Sequence, residues 1–401
     1  MKRTLLFGSS ETTLVLTGTA LIAATYGLVR LAYGLILPDV QSSIGLDDTT
    51  AGMVSSGASI AYCLGALLGL GADRHPRRLV VGASVTAAGG SLAMALSPTV
   101  ATFTPATVVA SMGAGLASPA MVALVADGVD GRRRSRAQAV VNTGTGPGLV
   151  AVGVLALVLP HWRATMLVAA VLTALAGVAV LRSSGHRSRV VRDGPDESGT
   201  TAQARRWWVP LTCAVLLGTA SAATWTFGRV LLVAEGASAS TSTLAWIAIG
   251  VGGAAAVLTA RTLDRLTAPT AWSVSLGAVS AATGGLALTS GTGALVAVAA
   301  CAVFGWSFVA ATSALIAWGA AISPTRAGAA TAAFFVALVV GQAIGSTLLG
   351  ATADRTGLVE AFWLAAGTGL VAAAAPALRL LERDQSKSSR ASISSRVEPE
   401  A

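Results

Sequence analysis

Two arginines lie within long apolar stretches of the sequence, where a charge is unexpected. Arg30 follows Tyr26 by four residues and precedes Tyr33 by three, so a regular helix would place the three side chains on one face. Trp225 and Arg229 repeat the first two positions of this pattern later in the chain. Two cations with aromatic neighbours, facing each other, predict a site for a solute with a carboxylate, a phosphate or several acceptor oxygens.

The alternative for both arginines is that the long side chain reaches the polar edge of a bilayer. Arg30 lies seven residues before Leu37, where its predicted helix ends, which is roughly 10 Å at 1.5 Å per residue. Arg229 lies five residues before the end of its helix at Ala234. The longer distance favours a buried role for Arg30, and both interpretations stay open for Arg229.

Two amides and two acids complete the set of candidate residues. Asn142 and Gln342 stand alone in apolar stretches, where they could bind the same solute or hold neighbouring helices together by hydrogen bonds. None of the 18 acidic residues lies in the middle of an apolar stretch, and the nearest are Asp39 and Glu235. Any proton coupling would therefore use these two acids or the substrate's own proton.

The composition predicts a chain whose surface faces lipid. Of its 401 residues, 54% are hydrophobic and 11% are charged, whereas soluble domains carry roughly 25% charged residues. The net charge of +9 does not indicate a nucleic-acid partner, because the basic residues cluster in short segments between apolar stretches. We expect the partners to be a lipid bilayer and a small-molecule substrate, and we expect the chain to act as a monomer.

Twelve apolar stretches are long enough to cross a bilayer as helices, which takes roughly 20 residues. They cover residues 14–37, 51–71, 79–96, 102–126, 137–159, 164–181, 209–234, 242–263, 271–289, 294–320, 327–350 and 361–381. The pattern predicts an all-α membrane protein with twelve transmembrane helices in two six-helix pseudo-repeats. The predicted parts are a first bundle at 1–182, a cytoplasmic linker at 183–208, a second bundle at 209–383 and a disordered cytoplasmic tail at 384–401.

The segment between the second and third predicted helices contains Gly69, Ala72, Asp73, Arg74, Arg77 and Arg78. This segment resembles the Gly-x-Leu-Ala-Asp-Arg-x-Gly-Arg-Arg/Lys signature of the major facilitator superfamily, with Gly71 and Pro76 in place of its Leu and second Gly. The resemblance covers the chain apart from the tail. It implies a secondary transporter that works by alternating access.

The same segment supplies most of the predicted gating residues. Asp73 beside Arg74, Arg77 and Arg78 predicts a latch that closes the cytoplasmic side through charge-assisted bonds and a facing helix N-terminus. The alternative is a static ion pair that only orients the loop, since exposed pairs contribute about 0–1 kcal/mol. Gly69 belongs to the same gating set.

The fifth predicted helix contains a second element, Gly144-Thr-Gly146-Pro147-Gly148. It is similar to the Gly-Pro element of exporters in the superfamily, which adds Gly146 and Pro147 to the gating set and implies export of a drug or natural product. Uptake of a sugar or organic acid is the alternative. The fourth helix has Val109 where the family pattern has an arginine, and this departure weakens the expectation of proton coupling there.

Other classes of protein find little support in the sequence. The three histidines lie in polar segments, the three cysteines stand alone, and no glycine-rich nucleotide loop with a lysine is present. We therefore expect no enzymatic activity, no ATP-driven pumping, no cofactor and no metal. A receptor or scaffold without transport is a remote alternative.

Basic residues give a testable orientation. With the N-terminus inside, the inner segments hold 23 of the 27 lysines and arginines, and the outer segments hold only Arg163 and Arg355. Basic loops stay in the cytoplasm, so we predict that both termini are cytoplasmic in a bacterial inner membrane. A tag fused after Ala401 should be inaccessible to antibody in intact cells and accessible after permeabilisation. Labelling of intact cells would contradict this orientation.

Overall fold

The computed structural model describes residues 8–69, 75–130, 133–159, 161–184, 201–263, 265–288, 293–322 and 327–394. Within these ranges the chain is helical and contains no strand. The linker residues 185–200, the tail residues 395–401, Asp73 and Arg74 lie outside the described residues.

The described residues form twelve helical spans, as the sequence predicts. They are α1 (Ser9–Ile22, Ala23–Arg30 and Ala32–Ile44), α2 (Asp48–Leu68), α3 (Pro76–Leu96), α4 (Val100–Gly128), α5 (Arg134–Asn142 and Thr145–Val158), α6 (Trp162–Ser183), α7 (Thr201–Ala222, Ala223–Phe227 and Gly228–Ala234), α8 (Ala239–Leu263), α9 (Ala268–Ala287), α10 (Ala294–Ile322), α11 (Ala327–Thr356) and α12 (Leu358–Ser394). Eleven of them are long and apolar enough to cross a membrane. The exception, α9, is rich in serine, threonine and glycine, and it packs against α10 and α12.

Several helices extend beyond their predicted bounds. Helix α1 spans Ser9–Ile44 where residues 14–37 are predicted, so Arg30 lies 14 residues, and not seven, before its end. Helix α12 continues to Ser394, into the tail that the sequence predicts to be disordered from residue 384. Helix α7 begins at Thr201, inside the predicted linker. The apolar stretch marks only the part of a helix that lies in lipid, and a polar extension leaves no hydropathy signal.

Glycines in a left-handed conformation end two of the helices. Gly45 has φ +72° and ends α1 before the short connection to α2. Gly357 has φ +116° and separates α11 from α12. A side chain at either position would strain the backbone, so glycine favours these sharp connections.

Wider π-helical turns interrupt α1 and α7 at matching places. They span Ala23–Arg30 in α1 and Ala223–Phe227 in α7. In α1 the amide of Leu31 donates to Tyr26 O, five residues earlier, at 2.8 Å. Tyr26 and Arg30 are therefore not related by regular α-helical geometry, on which the prediction of a shared helix face depends. Such π turns often occur at functional sites.

Helices within each half pack closely through small residues. Helix α4 packs against α2 and α3, and α10 packs against α8 and α9. A Cβ atom at Gly115 would collide with Tyr62 O, and one at Gly305 would collide with Ile249 O. Because lipid is as apolar as the helices, it provides no hydrophobic driving force for their association. The close approach of the backbones stabilises the bundle through dispersion energy instead.

Three pairs of helices form most of the contact between the halves. They are α1 with α7, α2 with α11, and α5 with α8. The first pair joins the first helix of each half, and the other two each join the second helix of one half to the fifth helix of the other. These six helices form the interface between the bundles.

We predict that Gly305→Ala will lower the stability of the folded protein by about 1–3 kcal/mol, because the new methyl group must displace the α8 backbone. The matched control is Gly277→Ala in α9, where a Cβ meets nothing within 4 Å. Thermal unfolding of the purified protein in detergent measures the difference. Equal melting temperatures for the two variants would show that the α8–α10 contact is looser than described.

Candidate functional site

A small cavity lies between the two halves. Its volume is about 40 Å³, enough for about three water molecules. Four helices line it, two from each half, through Arg30, Leu31, Tyr33, Gly34, Ser55, Ala58, Ser59, Ala222, Trp225, Thr226, Gln342 and Ser346. Arg30 is the one charged side chain among these lining residues.

Arg30 carries its charge into this cavity without an acidic partner. Its guanidinium carbon lies 4.2 Å from the ring centroid of Tyr62 on α2. Its Nη2 donates to Gln342 Oε1 on α11 at 3.5 Å, a long hydrogen bond. Among the described residues, no carboxylate oxygen forms an ion pair with Arg30. The structure thus brings together two residues that the sequence singled out separately, one from each half.

The three tyrosines of the chain gather beside Arg30. Tyr26 Oη lies 3.0 Å from Tyr62 Oη, and the two rings meet edge to face. Tyr33 lines the cavity, but its hydroxyl donates to Ala51 O at 2.8 Å and so ties α1 to α2. The sequence analysis does not name Tyr62 as a site residue. All three tyrosines lie in the first two spans, however, and that grouping could have indicated it.

Three hydroxyl groups from both halves form a second polar wall. Ser55 Oγ lies 3.0 Å from Thr226 Oγ1 and 3.0 Å from Ser346 Oγ, and the last two lie 3.2 Å apart. Ser59 lines the cavity one turn along α2 from Ser55. No pattern in the sequence marks these residues, because serine and threonine are frequent throughout its apolar stretches. Hydroxyls can donate or accept, so this wall suits a polar solute.

An aromatic cluster fixes Trp225 at the other side of the cavity. Its ring centroids lie 6.0 Å from Trp246, 5.5 Å from Phe304 and 5.4 Å from Phe308, all near edge-to-face. A Cβ at Gly34 would collide with Trp225 O, so α1 and α7 touch through their backbones here. Trp225 is therefore a rigid part of the wall.

Arg229 has a different environment from Arg30. It is buried, and its Nη1 donates to the carboxylate of Asp39 and to Leu35 O, while its Nε donates to Ser242 Oγ at 3.1 Å. The sequence assigned Arg229 to solute binding and Asp39 to proton coupling; the structure places them in one ion pair that joins α7 to α1. Glu235 is exposed just after α7 ends.

The remaining substrate-binding candidate, Asn142, lies away from the cavity. It is exposed, and its Oδ1 accepts a hydrogen bond from Gln138 Nε2 at 3.1 Å within α5. The helix is interrupted directly after it, at Thr143 and Gly144. Asn142 therefore stands beside a break in α5.

The glycine element of α5 packs against two other helices. A Cβ at Gly148 would collide with Ala23 O in the π turn of α1, and Gly146 lies opposite Gly250 O of α8. Pro147 is exposed. The element thus seats α5 against α1 of its own half and α8 of the other half.

Of the predicted cytoplasmic latch, three residues are described. A Cβ at Gly69 would collide with the Pro119 side chain in α4. Arg77 donates to the backbone oxygen of Ser184, after α6, and to its hydroxyl at 2.8 Å. Arg78 is exposed. The Arg77 contact lies within the first half, and the latch role of Asp73 stays a prediction.

The two halves are linked at the end of the bundle where residues 45–47 join α1 to α2, which we call the first-loop end. There Thr49 N donates to Asp354 Oδ2 of α11 at 2.8 Å. A Cβ at Gly52 would collide with Ser346 O, and one at Gly350 would collide with Asp48 O. Together with the Arg229–Asp39 pair, these contacts join the two halves between the cavity and the first-loop end.

Comparison with known proteins identifies this architecture. A family model described as Major Facilitator Superfamily matches residues 19–337. The fold is similar to that of the nucleoside transporter NupG, with a TM-score of 0.72 and 16% identity over 91% of this chain and 98% of that chain. It is also similar to a bacterial homolog of the human lysosomal transporter Spinster in an inward-facing, unoccupied conformation, with a TM-score of 0.70 and 12% identity over 92% and 95%. No curated protein sequence matches.

We predict that Asp354→Ala will open the cavity toward the first-loop end. A carboxylate at a helix N-terminus contributes about 0.3–1 kcal/mol, so the loss should shift the conformational equilibrium about two- to fivefold. The measurement is the rate at which an impermeant maleimide, added on the side of the first-loop end, modifies Ser59→Cys in a variant whose other cysteines are replaced by serine.

The matched control is Asp47→Ala. Asp47 caps the same helix end through Thr50 N at 2.6 Å but belongs to the same half as α2. The control should lower the melting temperature and leave the modification rate unchanged. A similar rise in both variants would mean that a frayed α2, and not a lost link between halves, admits the reagent.

Proposed function

This chain belongs to the major facilitator superfamily, and we propose that it moves a small organic solute across the cytoplasmic membrane of a bacterium by alternating access. The proposed binding site is the cavity between the halves. Arg30 and Gln342 bind the polar head of the solute, Tyr33 and Trp225 form part of the wall, and Tyr26 supports Tyr62 beside Arg30.

The observation that carries this proposal is the guanidinium of Arg30 in the cavity, which forms no ion pair with any acidic residue that the structure describes. A charge inside a membrane helix costs about 2.5–3.5 kcal/mol on insertion scales. The ring of Tyr62 and one long hydrogen bond to Gln342 offset only part of that cost. A solute with a negative or acceptor group completes the set of partners, which is a physical reason for the charge to be there.

The positions of these residues suit alternating access. Arg30 belongs to the first half and Gln342 to the second, so a bound solute bridges both. The contacts at the first-loop end break when the cavity opens on that side, and the Asp73 segment at the opposite end then closes. The charge asymmetry of the sequence supports an orientation in which the first-loop end faces outward and both termini are cytoplasmic. We also propose that the protein acts as a monomer.

Export of a drug or natural product is the direction we propose, and the Gly146-Pro147 element supports it. This element contacts α1 beside its π turn and α8 across the interface, so it can transmit movement between the halves. Vesicles of opposite orientation distinguish the direction. Everted vesicles should accumulate an exported solute, and right-side-out vesicles should accumulate an imported one.

Uptake of a polar nutrient such as a sugar or organic acid is the second candidate. The hydroxyl wall of Ser55, Thr226 and Ser346 favours it, because hydroxyls match a solute with many polar groups. A deletion and overexpression pair, grown on toxic compounds and on single carbon sources, separates the two. Export predicts resistance on overexpression, and uptake predicts lost growth on deletion.

We predict that Arg30→Lys will reduce transport nearly as much as Arg30→Ala, by about tenfold or more. Lysine keeps the charge but loses the planar fork that binds an acceptor group at two points, and a hydrogen bond to a charged group contributes about 1.5–3 kcal/mol. The initial rate of solute flux in proteoliposomes is the measurement.

Arg163→Lys is the matched control for that experiment. Arg163 also lies over an aromatic ring, 4.4 Å from the centroid of Trp162, but it bonds to Ser97 O outside the cavity. Its substitution should leave flux within about twofold of the unmodified protein, because this half-buried side chain lies outside the cavity. Normal flux in Arg30→Lys would overturn the binding role of Arg30.

A further inference from the structure

The two arginines of the predicted site differ in whether a carboxylate compensates their positive charge. Arg229 is neutralised by Asp39, whereas Arg30 has no acidic partner among the described residues. All other residues that line the cavity are uncharged. The cavity therefore has one uncompensated positive charge, where the sequence alone suggested two.

We infer that the solute carries a single negative charge, and that Asp39 sets this selectivity by neutralising Arg229. This inference rests on the proposed transport function and names its substrate class: monoanions, such as monocarboxylates, in preference to dianions, neutral solutes and cations. Asp39 acts through Arg229 and does not contact the solute, so it is a positioning residue for charge.

The local geometry around Arg30 fits one anionic group. The guanidinium carbon lies over the Tyr62 ring, 4.2 Å from its centroid, and the guanidinium keeps N–H donors for other partners. Gln342 Oε1 holds one of them at 3.5 Å and is readily replaced by a carboxylate, which forms shorter and stronger bonds with guanidinium. The amide group of Gln342 can then turn its NH₂ toward the same anion.

The ion pair lies close enough to influence what the cavity binds. Leu35 and Arg229 each lie four residues beyond a lining residue, Leu31 and Trp225 respectively, or about 6 Å along the helix. Packed helices lie roughly 8–10 Å apart, and with the offset along the helix the separation of Arg30 and Arg229 is on the order of 10–15 Å. At an effective dielectric constant of about 20, an unpaired charge at that distance changes the affinity for each added solute charge by about tenfold.

The test compares solutes that differ in charge on one skeleton. The probes are benzoate, benzamide and phthalate, and butyrate, butyramide and succinate. Calorimetry with the purified full-length protein measures binding at pH 7.5, and counterflow in proteoliposomes measures transport. We expect the monocarboxylate of at least one set to bind about tenfold more tightly than its amide and its dicarboxylate.

Three variants isolate the role of charge. Arg30→Gln should abolish the preference for the monoanion over the amide. Asp39→Asn frees Arg229 and should shift the ratio of dianion to monoanion affinity upward by about tenfold. The double variant Asp39→Asn, Arg229→Gln loses the same link between α1 and α7 but restores a single positive charge, so it should regain the preference for the monoanion.

Each outcome has a definite meaning. An unchanged affinity ratio in Asp39→Asn, or a double variant that behaves like Asp39→Asn alone, would overturn the role of Asp39. Binding or flux of the amides or of a cation in preference to the monoanions would overturn the substrate class while leaving transport intact. Absence of binding by all six probes, together with no effect of deletion or overexpression in the growth screen, would count against the transport function itself.

Discussion

The cost of a charge in a low-dielectric interior governs the centre of this protein. Arg229 meets that cost with fixed partners, namely a carboxylate, a backbone carbonyl and a hydroxyl. Arg30 meets it only in part, with an aromatic face and a distant amide oxygen. Two arginines at corresponding positions of two related halves thus have opposite properties. Arg229 links α1 to α7 in this conformation, and we propose that Arg30 binds the solute.

Glycines allow the helices of the two halves to approach closely around these arginines. Gly34 lets α1 touch the backbone of α7 at Trp225, and Gly52 and Gly350 let α2 and α11 approach at the first-loop end. Contacts between smooth backbones separate without disentangling large side chains, so they suit an interface that must form and break. Glycines also bring backbones together within each half, as at Gly115 and Gly305, but there large buried side chains such as Phe103 and Trp272 add to the contact and hold each bundle together.

The all-α fold of two pseudo-repeats was predictable because helix length and loop charge leave strong marks in a sequence, and that prediction is confirmed. Arg30 and Gln342 were detectable as site candidates because polar groups are rare in apolar helices. Their meeting was not, since it depends on how helices 312 residues apart in sequence face each other. Ser55, Thr226 and Ser346 left no mark, and the π turns arise from one extra residue per turn, which composition does not record.

The position of Asp39 relative to Arg30 links binding to closure. Both belong to α1, on either side of the segment that carries Leu31 and Leu35, and both act on groups of the second half. The π turn at Ala23–Arg30 ends at Arg30, so any change of helical register there would rotate the guanidinium relative to the rest of α1. If Arg30 binds an anion as we propose, a movement of α1 that brings Arg30 to the anion also alters the distance between Asp39 and Arg229. Because that pair joins the two halves near the first-loop end, α1 would then connect the charge of the solute to the opening of the site.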